Sequence, residues 1–420
     1  AFQTYMGTAD IYIYFVELGL RLLKRGGDFT YIIPNKWMRA KYGKMLRNYL
    51  KVKEIHRIID FGDLPVFEEA TTYPMIIQAK NNKAQNILKG LSVDKLNFDF
   101  GLTHYISENE MDILVDGLQE DNWNLINREV QEVLLKLKTK GTSLGSYVNG
   151  KIYRGVLTGF NEAFLIDQET KERLVSEDPK SEEIIKPFLG GRDIKRYQTP
   201  AIEKYLICFP KGFTIKSNLP KDDPNRIDMV SEPPRYGYMA FDAAWEWVKS
   251  HYPAIARHLA PFQNLATKRT DQGDYWWELR ACDYYDAFEE TKIVWPETSM
   301  DNQFCIIDEG VYLNKTTFMI PIKDDALLGI LNSKLAKFYF DSIVSKMRGG
   351  YFSMSKAYVE TLPIVETRNE QLTSRVRQIL SLNKQKPSAN TTDLETQIDQ
   401  LVYQLYDLTE EEIKIVEGNG

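Results

Sequence analysis

Residues 153–164 form a short segment whose polar side chains are suited to hydrogen bonding with flat, polar ligands. Arg154, Thr158 and Asn161 stand here beside two glycines. An arginine can donate two hydrogen bonds to guanine, and an asparagine can pair with adenine in a similar way. Loops on a rigid scaffold commonly carry such contacts. The segment therefore predicts nucleic-acid contacts by these three residues, and the alternative for any one of them is an ordinary surface salt bridge.

A second group of basic residues follows two glycines later in the chain. Arg192, Lys195 and Arg196 are predicted to bind phosphates, which position a protein on nucleic acid without reading its sequence. Arg348, beside Gly349 and Gly350, is suited to either a phosphate or a base. As a set, these residues predict a surface that binds nucleic acid, and the residues alone do not distinguish DNA from RNA.

The tripeptide Glu290-Thr291-Lys292, with Asp286 nearby, matches half of a metal-dependent nuclease motif. A pattern this short occurs often by chance, and a second copy stands at residues 412–414. Lys292 also leads into an apolar, β-rich run, which is a normal structural position. We therefore interpret this tripeptide as structural.

Charge is unevenly distributed along the chain. The 420 residues carry a net charge of −6, so the overall charge does not indicate a nucleic-acid binder. Positive charge is concentrated in residues 21–57 and 186–216, where few acidic residues oppose it. These segments predict a polarised surface that attracts phosphates, and the alternative is that they form ordinary solvated faces.

Other classes of protein are disfavoured by the residue pattern. No apolar run approaches the about 18 residues of a membrane-spanning helix, and residues 1–10 do not resemble a secretory signal. Three widely spaced cysteines predict a reducing, cytoplasmic environment. The four histidines form no metal-binding motif, so no metal site is predicted.

Helices and strands must position these side chains. Apolar residues between 10 and 24 recur at a helical spacing that ends at Gly26-Gly27. Short β-rich runs follow at residues 29–33, 55–61 and 72–79. This alternation favours an α/β layer with a mixed or parallel sheet, and it fades after about Gly90.

The remaining sequence suggests three further regions after a first domain at residues 1–125. Residues 126–145 have a helical pattern and are predicted to connect two domains. Residues 146–365 mix β-rich runs with proline-rich and aromatic loops, which is typical of a less regular domain. Residues 366–420 are predicted to be helical, with a polar linker at residues 381–392 and a capping box formed by Thr409 and Glu412.

Several short motifs, taken in order, carry a family resemblance. They include DIYIYFVE at 10–17, IIDFG at 58–62, YRGVLTGFNEAF at 153–164, KPFLGGRDIKRY at 186–197, and shorter matches at 332–334, 348–350, 362–363 and 398–409. With these motifs the chain resembles the C-terminal part of TaqI-like N6-adenine DNA methyltransferases and of the related type IIG restriction–modification enzymes. The resemblance spans nearly the whole chain.

The resemblance implies an α/β fold in which the first domain is the C-terminal part of a Rossmann-like methyltransferase sheet. A mixed α+β target-recognition domain and a C-terminal helical tail would follow. Phe15 matches the ring that packs on the adenine of S-adenosylmethionine, and core packing is its alternative. Phe67 matches the ring that stacks on an extruded base, with Tyr73 as a second candidate, and its alternative is a core position.

The same resemblance implies double-stranded DNA as the partner, a monomer, and Mg²⁺ only if a nuclease domain lies upstream. The family's Gly-rich cofactor loop and Asn/Asp-Pro-Pro-aromatic catalytic loop do not precede Asp10, where family order puts them. We therefore expect a catalytically silent C-terminal fragment of an adenine-specific methyltransferase. The alternative is a stand-alone DNA specificity subunit.

Overall fold

The computed structural model contains two units. It describes residues 2–68, 72–118, 120, 122–218, 239–344, 350–387 and 389–418. The first unit comprises residues 1–141, 338–349 and 406–420, and the second comprises residues 142–337 and 350–405.

A five-stranded sheet forms the centre of the first unit, among the residues described there. Its strands are β1 (Asp28–Pro34), β2 (Lys53–Asp60), β3 (Pro74–Lys83), β4 (Ile87–Ser92) and β5 (Met111–Leu114), in the order β1-β3-β2-β4-β5. Strands β1 and β2 both pair antiparallel with β3, so they run in the same direction. Their carboxyl ends and the start of β3 therefore meet at one edge of the sheet, here called the carboxyl edge.

Helices cover this sheet. They are α1 (Tyr12–Leu22), α2 (Lys44–Lys51), α3 (Leu102–Asn109) and α4 (Arg128–Lys140). The core between sheet and helices includes Trp37 and Trp123, whose rings meet edge to face at 5.3 Å. Asn127 begins α4, because its side chain accepts a hydrogen bond from the N–H of Val130.

The second unit is built from short strands. They are β6 (Thr142–Ser143), β7 (Tyr153–Arg154), β8 (Leu165–Asp167), β9 (Ile185–Leu189), β10 (Lys204–Ile207), β11 (Lys292–Pro296), β12 (Thr298–Ser299), β13 (Cys305–Ile307), β14 (Tyr312–Leu313), β15 (Thr317–Ile320), β16 (Phe352–Ser353) and β17 (Pro363–Ile364). Two four-stranded sheets result, with the orders β14-β9-β10-β8 and β13-β11-β15-β7, and two strand pairs accompany them.

The second unit also contains an aromatic-rich core and helices. They are α5 (Leu144–Tyr147), α6 (Asn161–Phe164), α7 (Gln168–Glu177), α8 (Phe213–Asn218), α9 (Phe241–His251), α10 (Pro253–Leu259), α11 (Gln263–Ala266), α12 (Asp325–Asn332) and α14 (Lys356–Val359), while α13 (Lys334–Ile343) crosses the boundary between the units. Trp277 is fully buried in this core, and Tyr275 stacks on it at 4.7 Å.

Three helices end the chain. Helices α15 (Glu370–Gln385) and α16 (Thr392–Leu405) pack on each other in the second unit, and α15 also packs on α12. Helix α17 (Glu410–Val416) belongs to the first unit, where Lys136 of α4 forms an ion pair with Glu412 at 2.6 Å. Thr409 and Glu412 form the predicted capping box.

The α/β class predicted from the sequence is confirmed, with two differences in detail. The sheet of the first unit does not fade after Gly90, because β5 extends it on β4. The polar segment at residues 381–392 is partly helical, since α15 continues to Gln385. In the part of the chain that is described, no helix is long and apolar enough to cross a membrane.

Candidate functional site

Arg154 lies at the end of β7, an edge strand whose register with β15 pairs it with Phe318. Its guanidinium lies over the Phe318 ring, 5.5 Å from the centroid. Nε donates a hydrogen bond to the carbonyl of Lys315 at 2.5 Å, and Nη2 forms an ion pair with Glu297 at 2.5 Å. The side chain is nevertheless 46% exposed. Arg154 is therefore held in one orientation while it remains accessible.

Glu297 follows β11, and its backbone is fixed on both sides. Its N–H donates to the carbonyl of Thr316 at 2.8 Å, and its carbonyl accepts from the N–H of Met354 at 2.7 Å. Lys315 and Thr316, in the turn between β14 and β15, are exposed. Sequence reasoning missed Glu297 and this turn. The polar tripeptide that begins at Asn314, between two apolar strands, is the signal that indicates such a turn.

Gly155 allows the chain to pass close to this turn. A Cβ atom at position 155 would lie 1.9 Å from the carbonyl oxygen of Asn314, which no side chain tolerates. The N–H of Gly155 donates to the carbonyl of Thr317 at 3.0 Å, and Val156 forms a parallel bridge with Asn314. The close approach therefore requires glycine and sets Arg154 beside the turn.

The loop that carries Arg192 reaches the same turn. The N–H of Gly191 donates to the Thr316 hydroxyl at 3.3 Å, and the Asp193 carboxylate accepts from the N–H of Gly190 at 2.7 Å. Arg192 itself is exposed. These segments form one surface, here called the loop surface, which consists of Arg154, Arg192, Glu297, Lys315 and Thr316. The loop of Arg192 and the side chain of Arg154, two of the predicted DNA contacts, thus both meet the turn at Lys315 and Thr316.

Lys195 and Arg196 differ in accessibility although they are neighbours. Lys195 is exposed. Arg196 forms an ion pair with Glu395 of α16 at 2.6 Å and is 24% exposed. Asp399, close to this pair, is buried and accepts a hydrogen bond from the N–H of Lys334 at 2.8 Å. Burial raises the pKa of the Asp399 carboxyl group to about 6. Arg196 is therefore bound to Glu395 of α16 in this structure, and its contact with a phosphate stays a prediction.

Thr158 lies in the interior rather than on the surface. It is 5% exposed and donates a hydrogen bond to the Asn161 side-chain oxygen at 2.5 Å. Its carbonyl accepts from the buried guanidinium of Arg269. Thr158 therefore holds the loop that carries Asn161, which is exposed at the start of α6. A DNA contact by either residue stays a prediction, and burial makes a direct contact by Thr158 unfavourable in this conformation.

Arg348 and Gly349 lie outside the described residues, so their predicted role has no structural account. The described chain resumes at Gly350, where a Cβ atom would come within 3.8 Å of Met300. Strand β12, just before Met300, pairs with β16.

A buried polar network occupies the carboxyl edge of the first unit. Asp60, at the end of β2, accepts hydrogen bonds from Asn35 Nδ2 at 2.7 Å and from the N–H of Gly62 at 3.0 Å. Its other oxygen lies 3.5 Å from Arg39 Nη2. Asn35 and Asp60 are each 4% exposed. Gly62 has a φ of 56°, which favours glycine and turns the chain into the loop that follows.

Both predicted base-pocket residues belong to the loop that this network holds. Phe67 is 45% exposed and Tyr73 is 39% exposed. The Tyr73 carbonyl accepts from the N–H of Asn35 at 2.7 Å, and Lys36 Nζ lies 6.0 Å from the centroid of the Tyr73 ring. Sequence reasoning named the two rings as candidates but did not name Asn35 and Asp60. Their positions, directly after β1 and at the end of β2, are the available signal.

Phe15 lies on an exposed apolar stripe of α1. The opposite face of this helix is buried through Ile13, Val16 and Leu20. The exposed stripe consists of Ile11, Phe15, Leu18 and Leu22, of which Phe15 is 48% exposed. Core packing within the first unit, the alternative interpretation of Phe15, is therefore wrong. Its contact with a cofactor stays a prediction.

The Glu290-Thr291-Lys292 tripeptide has a structural environment. Lys292 is fully buried and donates hydrogen bonds to the carbonyls of Phe288, Glu290 and Asp308. Burial lowers the pKa of Lys292 to about 8. The Glu290 side chain is exposed. Among the described residues, no group of three or more His, Cys, Asp or Glu side chains is arranged to hold a metal ion.

Family models match both units of the chain. Residues 1–67 match the Eco57I restriction-modification methylase family, and residues 186–364 match the TaqI-like C-terminal specificity domain. The second match includes every member of the loop surface except Arg154.

Two type II methyltransferases are similar to nearly the whole chain, and a third protein is similar to part of it. The type II methyltransferase M.BstVI of Geobacillus stearothermophilus is 22% identical over 99% of this chain and 70% of its own length. The type II methyltransferase M.XhoI of Xanthomonas vasicola is 22% identical over 99% of this chain and 71% of its own length. A shorter match covers 37% of this chain and 16% of the type II restriction enzyme and methyltransferase RM.Eco57I of Escherichia coli, at 25% identity.

One similar solved structure is that of the type IIL restriction-modification enzyme MmeI in complex with DNA. The alignment covers 97% of this chain and 48% of the MmeI chain, with 13% sequence identity and a TM-score of 0.48. Residues 1–67 are therefore similar to an Eco57I-type methylase, and residues 186–364 are similar to a TaqI-like C-terminal specificity domain.

Proposed function

We propose that this chain is the DNA-recognising part of a site-specific methyltransferase that acts on the exocyclic N6 of adenine. The observation that carries the proposal is the loop surface. Three neighbouring segments carry the exposed cations Arg154, Arg192 and Lys315 together with the carboxylates of Glu297 and Asp193, and most of these residues lie inside the match to the specificity domain. Such cations suit the negatively charged DNA backbone and the acceptor groups of bases.

The residues of the loop surface, together with Lys195 and Asn161, would have different roles. Arg154 is fixed by a carbonyl and a carboxylate, so it can present a defined donor pattern to a base edge. Arg192 and Lys195 are exposed cations, which suits phosphate contacts that position the protein without specifying the sequence. Asn161 would contact a base from the neighbouring loop.

The first unit would contribute to the two ligand pockets of the enzyme. Phe67 and Tyr73 would form a wall against the extruded adenine, which loses its stacking neighbours when it leaves the duplex. Phe15 would pack on the adenine ring of S-adenosylmethionine, since aromatic side chains bind flat ligands by stacking. S-adenosylmethionine supplies the methyl group, while these residues bind and orient the two ring systems.

We further propose that methyl transfer requires a catalytic loop that is not present in these 420 residues. No Asn/Asp-Pro-Pro-aromatic sequence occurs within these 420 residues. The chain incubated with duplex DNA and radiolabelled S-adenosylmethionine is therefore expected to transfer no methyl group. Label in the DNA would contradict this part of the proposal.

Selection of duplexes from a random DNA pool tests recognition directly. At physiological salt, where non-specific binding is weak, we expect the chain to enrich one short sequence. Lys195→Ala should weaken binding to all duplexes alike and lower the slope of log K against log salt by about one phosphate contact. Binding that is equal for all sequences and fades with salt would contradict sequence recognition by this chain.

A further inference from the structure

The ion pair between Arg154 and Glu297 has no evident structural purpose. Both side chains are partly exposed, at 46% and 30%, and exposed ion pairs contribute little to stability. A carboxylate on a surface that faces DNA also repels phosphates. The position of Glu297 beside Arg154 on the loop surface therefore requires another explanation.

The geometry of the guanidinium suggests one. Nε is engaged by the Lys315 carbonyl, and one N–H of Nη2 by Glu297. The Phe318 ring supports one face of the group. Among the described residues, no hydrogen bond or ion pair involves Nη1, so Nη1 keeps its donors and Nη2 keeps its second N–H. Two parallel donors match the O6 and N7 acceptors of guanine in the major groove.

We propose that Glu297 is a specificity-determining residue that fixes Arg154 to read the guanine of one G·C base pair. This inference rests on the proposed function and adds that Arg154 recognises a guanine. The carboxylate holds the guanidinium in the reading orientation, so less side-chain freedom is lost on binding. The backbone of Glu297 is itself anchored to Thr316 and Met354, which makes this support rigid.

The negative charge of Glu297 gives the proposal a distinctive consequence. Removing the charge should weaken the preference for a G·C pair at one position of the DNA target sequence. The same change should strengthen binding to duplexes that lack the target sequence. A residue that only stabilises the fold would not produce this opposite pair of effects.

The test is selection from a random duplex pool with the wild-type chain, Glu297→Gln, Arg154→Lys and the double variant. Wild type is expected to require a G·C pair at one position. Each single variant should reduce the preference for that pair on the order of tenfold, since a lysine and an unsupported arginine both lose the bidentate contact. The double variant should lose little more than either single variant, because both changes remove the same contact.

Glu177→Gln is the matched control. Glu177 forms a comparable exposed ion pair with Arg257 of the same unit, at 2.7 Å, and its replacement should leave the selected sequence unchanged. If wild type selects a site and Glu297→Gln selects it with undiminished G·C preference, the inference is overturned while the proposed function stands. If wild type selects no sequence, the proposed function and this inference are both overturned.

Discussion

The carboxyl edge of the first unit and the loop surface of the second unit expose opposite kinds of chemistry. At the carboxyl edge, the polar groups of Asn35 and Asp60 are buried and bonded to each other, while aromatic rings face solvent. At the loop surface, Arg154 and Glu297 face solvent, while the ring of Phe318 is buried beneath them.

Under the proposed function, this difference matches what each surface would bind. A flat apolar ligand is best met by exposed rings, and the loop that carries them needs a rigid support, which buried hydrogen bonds provide. A polar ligand such as a base edge or a phosphate is best met by exposed donors in a fixed orientation. The comparison predicts that substitutions at the two surfaces affect different measurable quantities.

The largest effect is expected at the buried support of the carboxyl edge. Asp60→Ala leaves Asn35 Nδ2 and Arg39 without their carboxylate partner in a largely buried position. Loss of one partner of such a network should lower the free energy of unfolding by about 3–5 kcal/mol. Urea denaturation followed by circular dichroism measures this change.

Asp63→Ala is the control for this prediction, because Asp63 is exposed in the same loop. Its replacement should change the free energy of unfolding by less than about 0.5 kcal/mol. If the two variants have the same stability, the network does not support the loop, and the comparison between the two surfaces fails at this point.

The second unit contains a buried carboxylate as well, and its expected effect depends on pH. Burial raises the pKa of Asp399 to about 6, against the partial opposition of the Arg196 and Lys334 charges. The folded state therefore holds this proton more tightly than the unfolded state. The contribution of Asp399 to stability is full below its unfolded pKa of about 4 and is lost as pH rises through about 6.

Asp399→Asn should remove this pH dependence, because an amide does not titrate and its oxygen can still accept from the N–H of Lys334. Between pH 4 and pH 7, the unfolding free energy of wild type should fall relative to the variant by up to about 3 kcal/mol. Asp393→Asn, an exposed position on the same helix, is the control and should keep the wild-type pH profile. An identical profile for Asp399→Asn would refute the predicted titration.

The smallest effect is expected at the exposed ring of the carboxyl edge. Phe67→Ala should leave stability almost unchanged but weaken binding to duplexes with a mismatched target adenine by about 1–3 kcal/mol, the contribution of one stacked base. Fluorescence anisotropy with matched and mismatched duplexes measures the difference. Phe100→Ala, which replaces a ring that is 81% exposed in the same unit, is the control.

An unchanged preference for the mismatched duplex in Phe67→Ala would favour the alternative function, a DNA specificity subunit without a base pocket. A loss of preference in Phe100→Ala as well would mean that the effect is not specific to the carboxyl edge.

Local patterns in the sequence predicted several elements of the first unit and the helices at the end of the chain, and packing decided which side chains they expose. The spacing of apolar residues predicted α1. From this spacing alone, the stripe formed by Ile11, Phe15, Leu18 and Leu22 would be expected to be buried. The structure buries the opposite face instead. Periodicity identifies a helix with apolar residues on several faces, but it does not state which of these faces meets the sheet.

The sequence by itself determined the α/β class, the capping box at Thr409 and the order of the family motifs, because these depend on neighbouring residues. The tertiary structure alone decided that Glu297 meets Arg154, 143 residues away along the chain, and that Asn35 meets Asp60. Strand pairing creates these contacts, and pairing depends on the register between distant segments. A single sequence carries no local signal for that register.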